Sequence, residues 1–200
     1  MHFAHREKKV VIVVKKTGSG KSLCYQLPSL FKNDKTTVVI CPTISLINSQ
    51  LESLRSNNIN AVAASPNFEM DVSVLFEEEL PPLIYTTQEF FENKLKFSLN
   101  SEKVKLVVID EVHKVFDRND SFRSSYNSLT RIHNKFPTVP IMALTATLYE
   151  DQLQSLCSQY LVKPVLMRDS VNRPNIKLNI SKYKSKRTLK GNENLVFSSY

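Results

Sequence analysis

The sequence predicts an α/β fold, a mostly parallel β-sheet with helices on both faces. Three observations carry that expectation. Runs such as Val10–Val14 and, apart from Lys105, Val104–Ile109 are apolar rather than alternating, as in strands buried on both faces. Between such runs lie segments with apolar residues at helical spacing, so strand and helix alternate along the chain. Residue types that handle phosphate and metal ions follow directly after strands, the edge where open parallel sheets take ligands.

The first strand, Val10–Val14, runs into Thr17-Gly18-Ser19-Gly20-Lys21-Ser22 and then into Leu23, Tyr25 and Leu27 before Pro28. Strand, glycine loop and helix start are the setting a phosphate-binding loop needs. Gly18 and Gly20 let the backbone turn its N–H groups toward phosphate oxygens, with the positive end of a helix dipole behind them. Lys21 would reach the β and γ phosphates and Ser22 would hold Mg²⁺. The chain has three glycines and two stand here, which argues against a casual turn before an amphipathic helix. In the general pattern GxxxxGK[ST] the first glycine would fall at Lys15, so the match is to the later half, with Lys15 and Lys16 in front.

Thr36–Ile40 predicts a second strand, ending at Cys41-Pro42, and Leu46, Ile47, Leu51 and Leu54 a helix capped by Thr43 or Ser45. Ile59–Ala64 is a third apolar run. Residues 67–80 are acidic and ambiguous, with Glu77, Glu78 and Glu79 on a solvated face. Leu83-Ile84-Tyr85 reads as a strand, and Phe90, Phe91, Leu95 and Leu99 place a helix over Gln88–Leu99. Val104–Ile109 delivers Asp110-Glu111-Val112-His113 at its C-terminal end. Beside the glycine loop, these carboxylates make a second half of a nucleotide site: Asp110 for Mg²⁺, Glu111 for the attacking water. Alone, the pair would suit a helix N-terminus almost as well, and His113 would read as a capping or surface imidazole.

Phe122, Tyr126, Leu129, Ile132 and Phe136 are helically spaced and read as core. Ile141–Leu144 is a further strand, ending in Thr145-Ala146-Thr147. The final helix carries Leu153, Leu156, Cys157, Tyr160 and Leu161 on one face, with Thr147 and Glu150 fitting a capping box. After Pro164 the pattern loosens, with Ile176, Leu178 and Ile180 alternating as a short strand.

Two hundred residues with 42% hydrophobic content suffice for one domain, at most two, with a real core. No run approaches the roughly 18 apolar residues of a membrane helix, and MHFAHREKK lacks a signal peptide's apolar centre. An intracellular protein with no membrane partner is therefore expected. Cys24, Cys41 and Cys157 form no CxxC, and His2, His5, His113 and His133 show no metal-ligand spacing. The net charge is +8. It sits in the tail: from Lys163 onward nine Lys or Arg face Asp169 and Glu193, leaving +7, while residues 1–162 hold +1. A solvated basic tail explains that as well as nucleic acid does.

Taken in order, TGSGKSLCYQLP, VVICPTISLINSQ, YTTQE, VVIDEVH, ALTAT and NRPNI resemble the first RecA-like P-loop NTPase domain of RecQ-type helicases, in helicase superfamily 2. DEAD- and DEAH-box proteins at large share the loop, the DExx carboxylates and a Ser/Thr-Ala-Thr. The resemblance spans about Val10 to Ile180. It implies an ATP-driven motor that unwinds DNA with 3′ to 5′ polarity, nuclear in a eukaryote or cytoplasmic in a bacterium. By matching position it implies that Thr17 to Ser22 bind ATP phosphates, that Asp110 with Ser22 holds Mg²⁺, and that Lys21, Asp110 and Glu111 are catalytic. His113, Thr145 and Thr147 would couple hydrolysis to movement. Thr43, Ser45, Leu46, Thr87, Phe122 and Arg123 would lie along single-stranded or partly duplex DNA, largely on its phosphates.

The family's usual DEAH is DEVH here, and its aromatic-rich loop is KVFDRNDS, Lys114 to Ser121, with Phe116 the only aromatic. The resemblance divides the chain into an ATP-binding domain over 1–164 and, over 165–200, a basic linker opening an incomplete second RecA-like domain. That second domain, a partner in cis carrying the arginine finger, is expected beyond residue 200, so the 200 residues alone should hydrolyse ATP weakly. The alternative is a truncated, non-catalytic module binding ATP or single-stranded nucleic acid. A small P-loop kinase or GTPase leaves PTISL, ALTAT and NRPNI unexplained and would want an NKxD that is absent.

Overall fold

The computed structural model describes residues 10–31, 35–65, 80–116, 132, 134–159, 164–170, 176–177, 179–183 and 194–198. Its first compact unit spans residues 1–170. The elements in order are β1 (Val10–Val14), α1 (Leu23–Ser29), β2 (Thr36–Cys41), α2 (Ile44–Ser56), β3 (Val62–Ala64) and β4 (Leu83–Thr87). There follow the composite helix α3 (Gln88–Phe90, a π turn Phe91–Leu95, then Lys96–Ser98), β5 (Val104–Ile109), a 3₁₀ segment Val112–Phe116, β6 (Ile141–Thr145), α4 (Glu150–Gln159) and β7 (Val165–Arg168).

Seven strands form one parallel sheet in the order β3-β4-β2-β5-β6-β1-β7. The continuous apolar runs are explained by a core on each face. Val10, Ile12 and Val14 join Phe91, Leu95, Phe136, Leu153 and Leu156 on the face covered by α3 and α4. Val11 and Val13 join Tyr25, Ile47, Leu51 and Leu54 on the face covered by α1 and α2. Each side chain of a central strand therefore meets a helix, and alternation between polar and apolar has no reason to appear.

Three details depart from the sequence pattern. The helix expected over Gln88–Leu99 contains a π turn over Phe91–Leu95, and both of those residues are buried. Val165–Arg168, which the pattern left within a linker, pairs in register with β1 from Val11↔Val165 to Val14↔Arg168. It is an edge strand, mostly exposed, so burial does not impose an apolar pattern on it. The capping box expected of Thr147 and Glu150 is not what starts α4. The helix opens at Glu150, and Gln152 Oε1 accepts from the Tyr149 N–H at 3.1 Å, the N3 side chain reaching back to the cap.

A second compact unit covers residues 171–200. Within it β8 (Asn179–Tyr183) pairs antiparallel with β9 (Asn194–Ser198). Among the described residues no helix is long and apolar enough to cross a membrane.

Candidate active site

The sheet order places β1, β6 and β5 side by side, so the loops after them share one edge. After β1, Gly18 and Gly20 take φ of +79° and +76°, the left-handed region that a β-carbon disfavours. Ser19 N–H closes the turn on Lys16 O at 3.2 Å. Lys21 Nζ donates to Lys15 O at 3.2 Å, folding the ammonium over the loop. Ser22 precedes α1 with helical dihedrals and makes no side-chain cap bond, so its hydroxyl is not spent on the helix. Ser19 Oγ is buried without a hydrogen-bond partner, a donor and acceptor held ready inside the loop.

After β5, the Asp110 N–H donates to Ile40 O at 2.9 Å, carrying the sheet's hydrogen bonding to its last residue. Glu111 then turns with φ of +49°, an unusual setting for a non-glycine residue. Its N–H donates to Asp110 Oδ1 at 3.0 Å and its carbonyl accepts from Lys114 N at 2.9 Å. Those bonds hold the left-handed turn that presents the two carboxylates in succession. Burial, and then the Glu111 charge, push the Asp110 carboxyl up to about 6 against the pull of the Glu111 N–H and the Lys21 charge. Asp110 therefore sits within the electrostatic reach of Lys21, although 89 residues separate them in sequence.

His113 and Thr145 join the carboxylates to the end of β6. His113 Nδ1 lies 2.9 Å from Thr145 Oγ1 and 3.2 Å from Glu111 Oε2. The better-aligned partner is Thr145, which leaves Glu111 Oε2 buried and without a hydrogen bond. Thr145 Oγ1 donates to Thr147 O at 2.8 Å and accepts from Thr147 N at 3.1 Å. Thr147 thus enters through its backbone.

Of the residues predicted to face nucleic acid, Thr43, Ser45 and Leu46 are exposed at the C-terminal end of β2. Thr87 ends the neighbouring β4, with Cys41 and Thr87 in register. Both threonines also have helix duties: Thr43 Oγ1 accepts from Leu46 N at 3.4 Å, and Thr87 Oγ1 from Phe90 N at 3.3 Å. Phe122 and Arg123 lie outside the described residues. A cleft of about 20 Å³, lined in part by Cys41, Pro42, Gln88, Asp110, Glu111 and Lys114, connects the carboxylates with this edge. It has room for about one water.

Sequence reading singled out no role for two contacts. The Gln26 amide donates to Gln50 Oε1 at 2.9 Å and to Tyr85 Oη at 3.1 Å, and Tyr85 Oη donates to Tyr25 Oη at 3.3 Å. This partly buried network ties α1, which follows the glycine loop, to α2 and β4. Lys15 Nζ pairs with Asp169 Oδ2 at 3.0 Å just beyond β7. The signal in the sequence is faint in both cases: Tyr25 and Gln26 stand in TGSGKSLCYQLP, and Lys15 stands where GxxxxGK[ST] has a glycine.

The donor set can be tested against Mg²⁺. Among the described residues no group of three His, Cys, Asp or Glu side chains could hold a metal ion by themselves. One buried carboxylate with a raised pKa, plus an unspent hydroxyl, is the sparse set that suits Mg²⁺ shared with substrate phosphates. The residues fit that ion.

The profile of the DEAD/DEAH box helicase family matches residues 2–156. The chain is 34% identical over 195 residues to ATP-dependent helicase SGS1 of Saccharomyces cerevisiae, covering 90% of this chain and 13% of that protein. It is 36% identical over 183 residues to ATP-dependent DNA helicase RecQ of Haemophilus influenzae, covering 86% and 29%. Against ATP-dependent DNA helicase Q-like 4B of Arabidopsis thaliana it is 38% identical over 182 residues, covering 83% and 16%. The chain thus spans less than a third of the length of these relatives. Among solved structures, the Pyrococcus furiosus Hef helicase domain matches with a TM-score of 0.61 at 20% identity, over 83% of this chain and 36% of that one. That likeness is one of fold. With the family profile across most of its length and RecQ helicases as its curated relatives, the chain belongs to the DEAD/DEAH box helicase family.

Proposed function

We propose that the chain is the ATP-binding motor domain of a RecQ-like 3′ to 5′ DNA helicase, completed by a second RecA-like domain that supplies the remaining half of the ATP site. The observation that carries this reading is the placing of the Lys21 loop after β1 and the Asp110-Glu111 pair after β5 at the same edge of a parallel sheet, with only β6 between the two strands.

In this reading Thr17 to Ser22 wrap the phosphates with backbone N–H groups, and Lys21 exchanges Lys15 O for a phosphate oxygen. Ser22 and Asp110 would hold Mg²⁺, which when bound neutralises charge developing on the transferred phosphoryl group. Glu111 orients the attacking water through a carboxylate oxygen that no hydrogen bond already occupies. His113, set between Glu111 and Thr145, relates the carboxylate to the end of β6. Thr43, Ser45, Leu46 and Thr87, at the ends of β2 and β4, would lie along a DNA backbone.

Titration of the chain with a fluorescent ATP analogue in Mg²⁺ tests the first part. Binding lost in Lys21→Ala and weakened in Asp110→Ala supports the site, and equal binding by all three sinks it. Fusion to the second RecA-like domain of the Haemophilus influenzae relative tests the second part. Hydrolysis by that fusion should rise on addition of single-stranded DNA, and hydrolysis indifferent to DNA would count against a helicase motor.

A further inference from the structure

A second lysine borders the glycine loop. Lys15 follows β1 directly, at the position where GxxxxGK[ST] has its first glycine. Its N–H donates to Thr145 O at 3.0 Å, its carbonyl accepts from Lys21 Nζ at 3.2 Å, and its own Nζ lies 3.0 Å from Asp169 Oδ2. Asp169 is anchored in turn, its N–H donating to Val14 O at 3.0 Å. One side chain thus connects the loop with the acidic end of the sheet's edge strand.

The pair is a weak hold on Lys15. The two side chains are 32% and 61% exposed, and a single carboxylate in such surroundings offers little against a polyanion. The lysine stem is long and flexible, and Lys21 Nζ touches the Lys15 carbonyl, so the Lys15 ammonium needs only a change of rotamer away from Asp169 to turn toward the loop that Lys21 serves.

We propose that Lys15 is a further phosphate-binding residue, held by Asp169 until a nucleoside di- or triphosphate enters and takes it over. The inference rests on the nucleotide reading above and deepens it. The exchange frees the Asp169 carboxylate while its backbone bond to Val14 O stays in place, so phosphate binding and release of the Lys15–Asp169 pair are one event. By linkage, Asp169 holds nucleotide affinity down by as much as nucleotide weakens the pair.

Calorimetric titration with Mg²⁺ and ADP, at low and high salt, tests this on the chain and on Lys15→Met, Asp169→Asn, the double variant and Lys21→Ala. Expected are a loss of about tenfold for Lys15→Met, and a gain of about two- to fivefold for Asp169→Asn that shrinks at high salt. The double variant should bind like Lys15→Met. Wild-type affinity in both single variants, with Lys21→Ala unable to bind, would leave Lys15–Asp169 a mere surface ion pair and overturn the proposal. A gain from Asp169→Asn that persists in the Lys15→Met background would overturn it too, because the carboxylate would then act through something else. Full binding by Lys21→Ala would instead remove the nucleotide reading, and this proposal with it.

Discussion

His113 Nδ1 and Thr145 Oγ1 lie 2.9 Å apart, and the rest of the Thr145 hydroxyl's bonding decides which of them donates. A hydroxyl has one hydrogen, and Thr147 O, a carbonyl 2.8 Å away, can only accept it. His113 must therefore carry its proton on Nδ1 and donate to Thr145, with Glu111 Oε2 at 3.2 Å beside the same proton. Nitrogen-15 spectra of the neutral ring should report the Nδ1–H tautomer. Thr145→Val removes an acceptor for His113 and Thr147 N and the donor to Thr147 O; the Thr145 side chain is fully buried, although its partners are partly exposed. It should cost about 1–3 kcal/mol in urea denaturation and release the tautomer preference, whereas Thr145→Ser should retain both. A valine variant as stable as wild type would refute the arrangement.

Asp110 gives the chain a pH dependence whose sign runs opposite to that of a salt-bridged carboxylate. Its folded pKa is raised from 3.8 to about 6, chiefly by burial and the Glu111 charge. Below pH 4 it is protonated in both folded and unfolded chains and costs nothing. As pH rises through 6 the folded chain must ionise a buried group that the unfolded chain ionised earlier, and stability falls. In the absence of metal and nucleotide, Asp110→Asn should gain on wild type between pH 4 and 7, by on the order of 2–3 kcal/mol. A difference between the two proteins that does not vary across that interval would show that Asp110 titrates normally.

The parts of the site that were legible in sequence are those built from neighbours along the chain. Thr17 to Ser22 are contiguous, and Asp110-Glu111 directly follows a strand that is apolar apart from Lys105, so local pattern points to them. Pairings across the sheet were not legible from local pattern. His113 meets Thr145, and Tyr25 meets Tyr85, because β5, β6 and β1 are neighbours and β4 lies beside β2. Strand order is a global outcome that apolar periodicity does not encode. The same limit explains β7, whose edge position asks little burial of Leu166 and Met167. The π turn escaped for another reason: Phe91 and Leu95 keep the four-residue spacing of an ordinary helix.

The tyrosine pair should behave as a unit. Tyr25 and Tyr85 are both fully buried, their rings 6.4 Å apart at 62°, and burial raises both phenols, Tyr85 to about 12. Tyr85→Phe leaves the Tyr25 hydroxyl without the bond from Tyr85 and one Gln26 N–H without an acceptor, while Gln26 keeps Gln50. A cost of about 1–3 kcal/mol is expected. Tyr25→Phe with Tyr85→Phe should cost less than the two single changes added together, since the hydroxyl contact they share can be lost only once. Denaturant midpoints for the four proteins give the coupling directly, and strict additivity would mean that the 3.3 Å contact carries no energy.

Gly18 and Gly20 offer a test of the loop's backbone that needs no ligand. Both have φ near the centre of the left-handed region, at +79° and +76°. A β-carbon at Gly18 would meet nothing within 4 Å, and one at Gly20 would approach Leu23 Cδ1 at 3.4 Å, ordinary van der Waals contact. Steric crowding by neighbours is therefore minor, and any cost of alanine must come from the backbone conformation itself. Gly18→Ala and Gly20→Ala should each lower stability by about 1–2 kcal/mol, with little difference between them. Urea titration at unchanged m-value would show it. If Gly18→Ala were as stable as wild type, or more so, the loop would have to hold a right-handed turn, and its N–H groups could not converge on a phosphate as described.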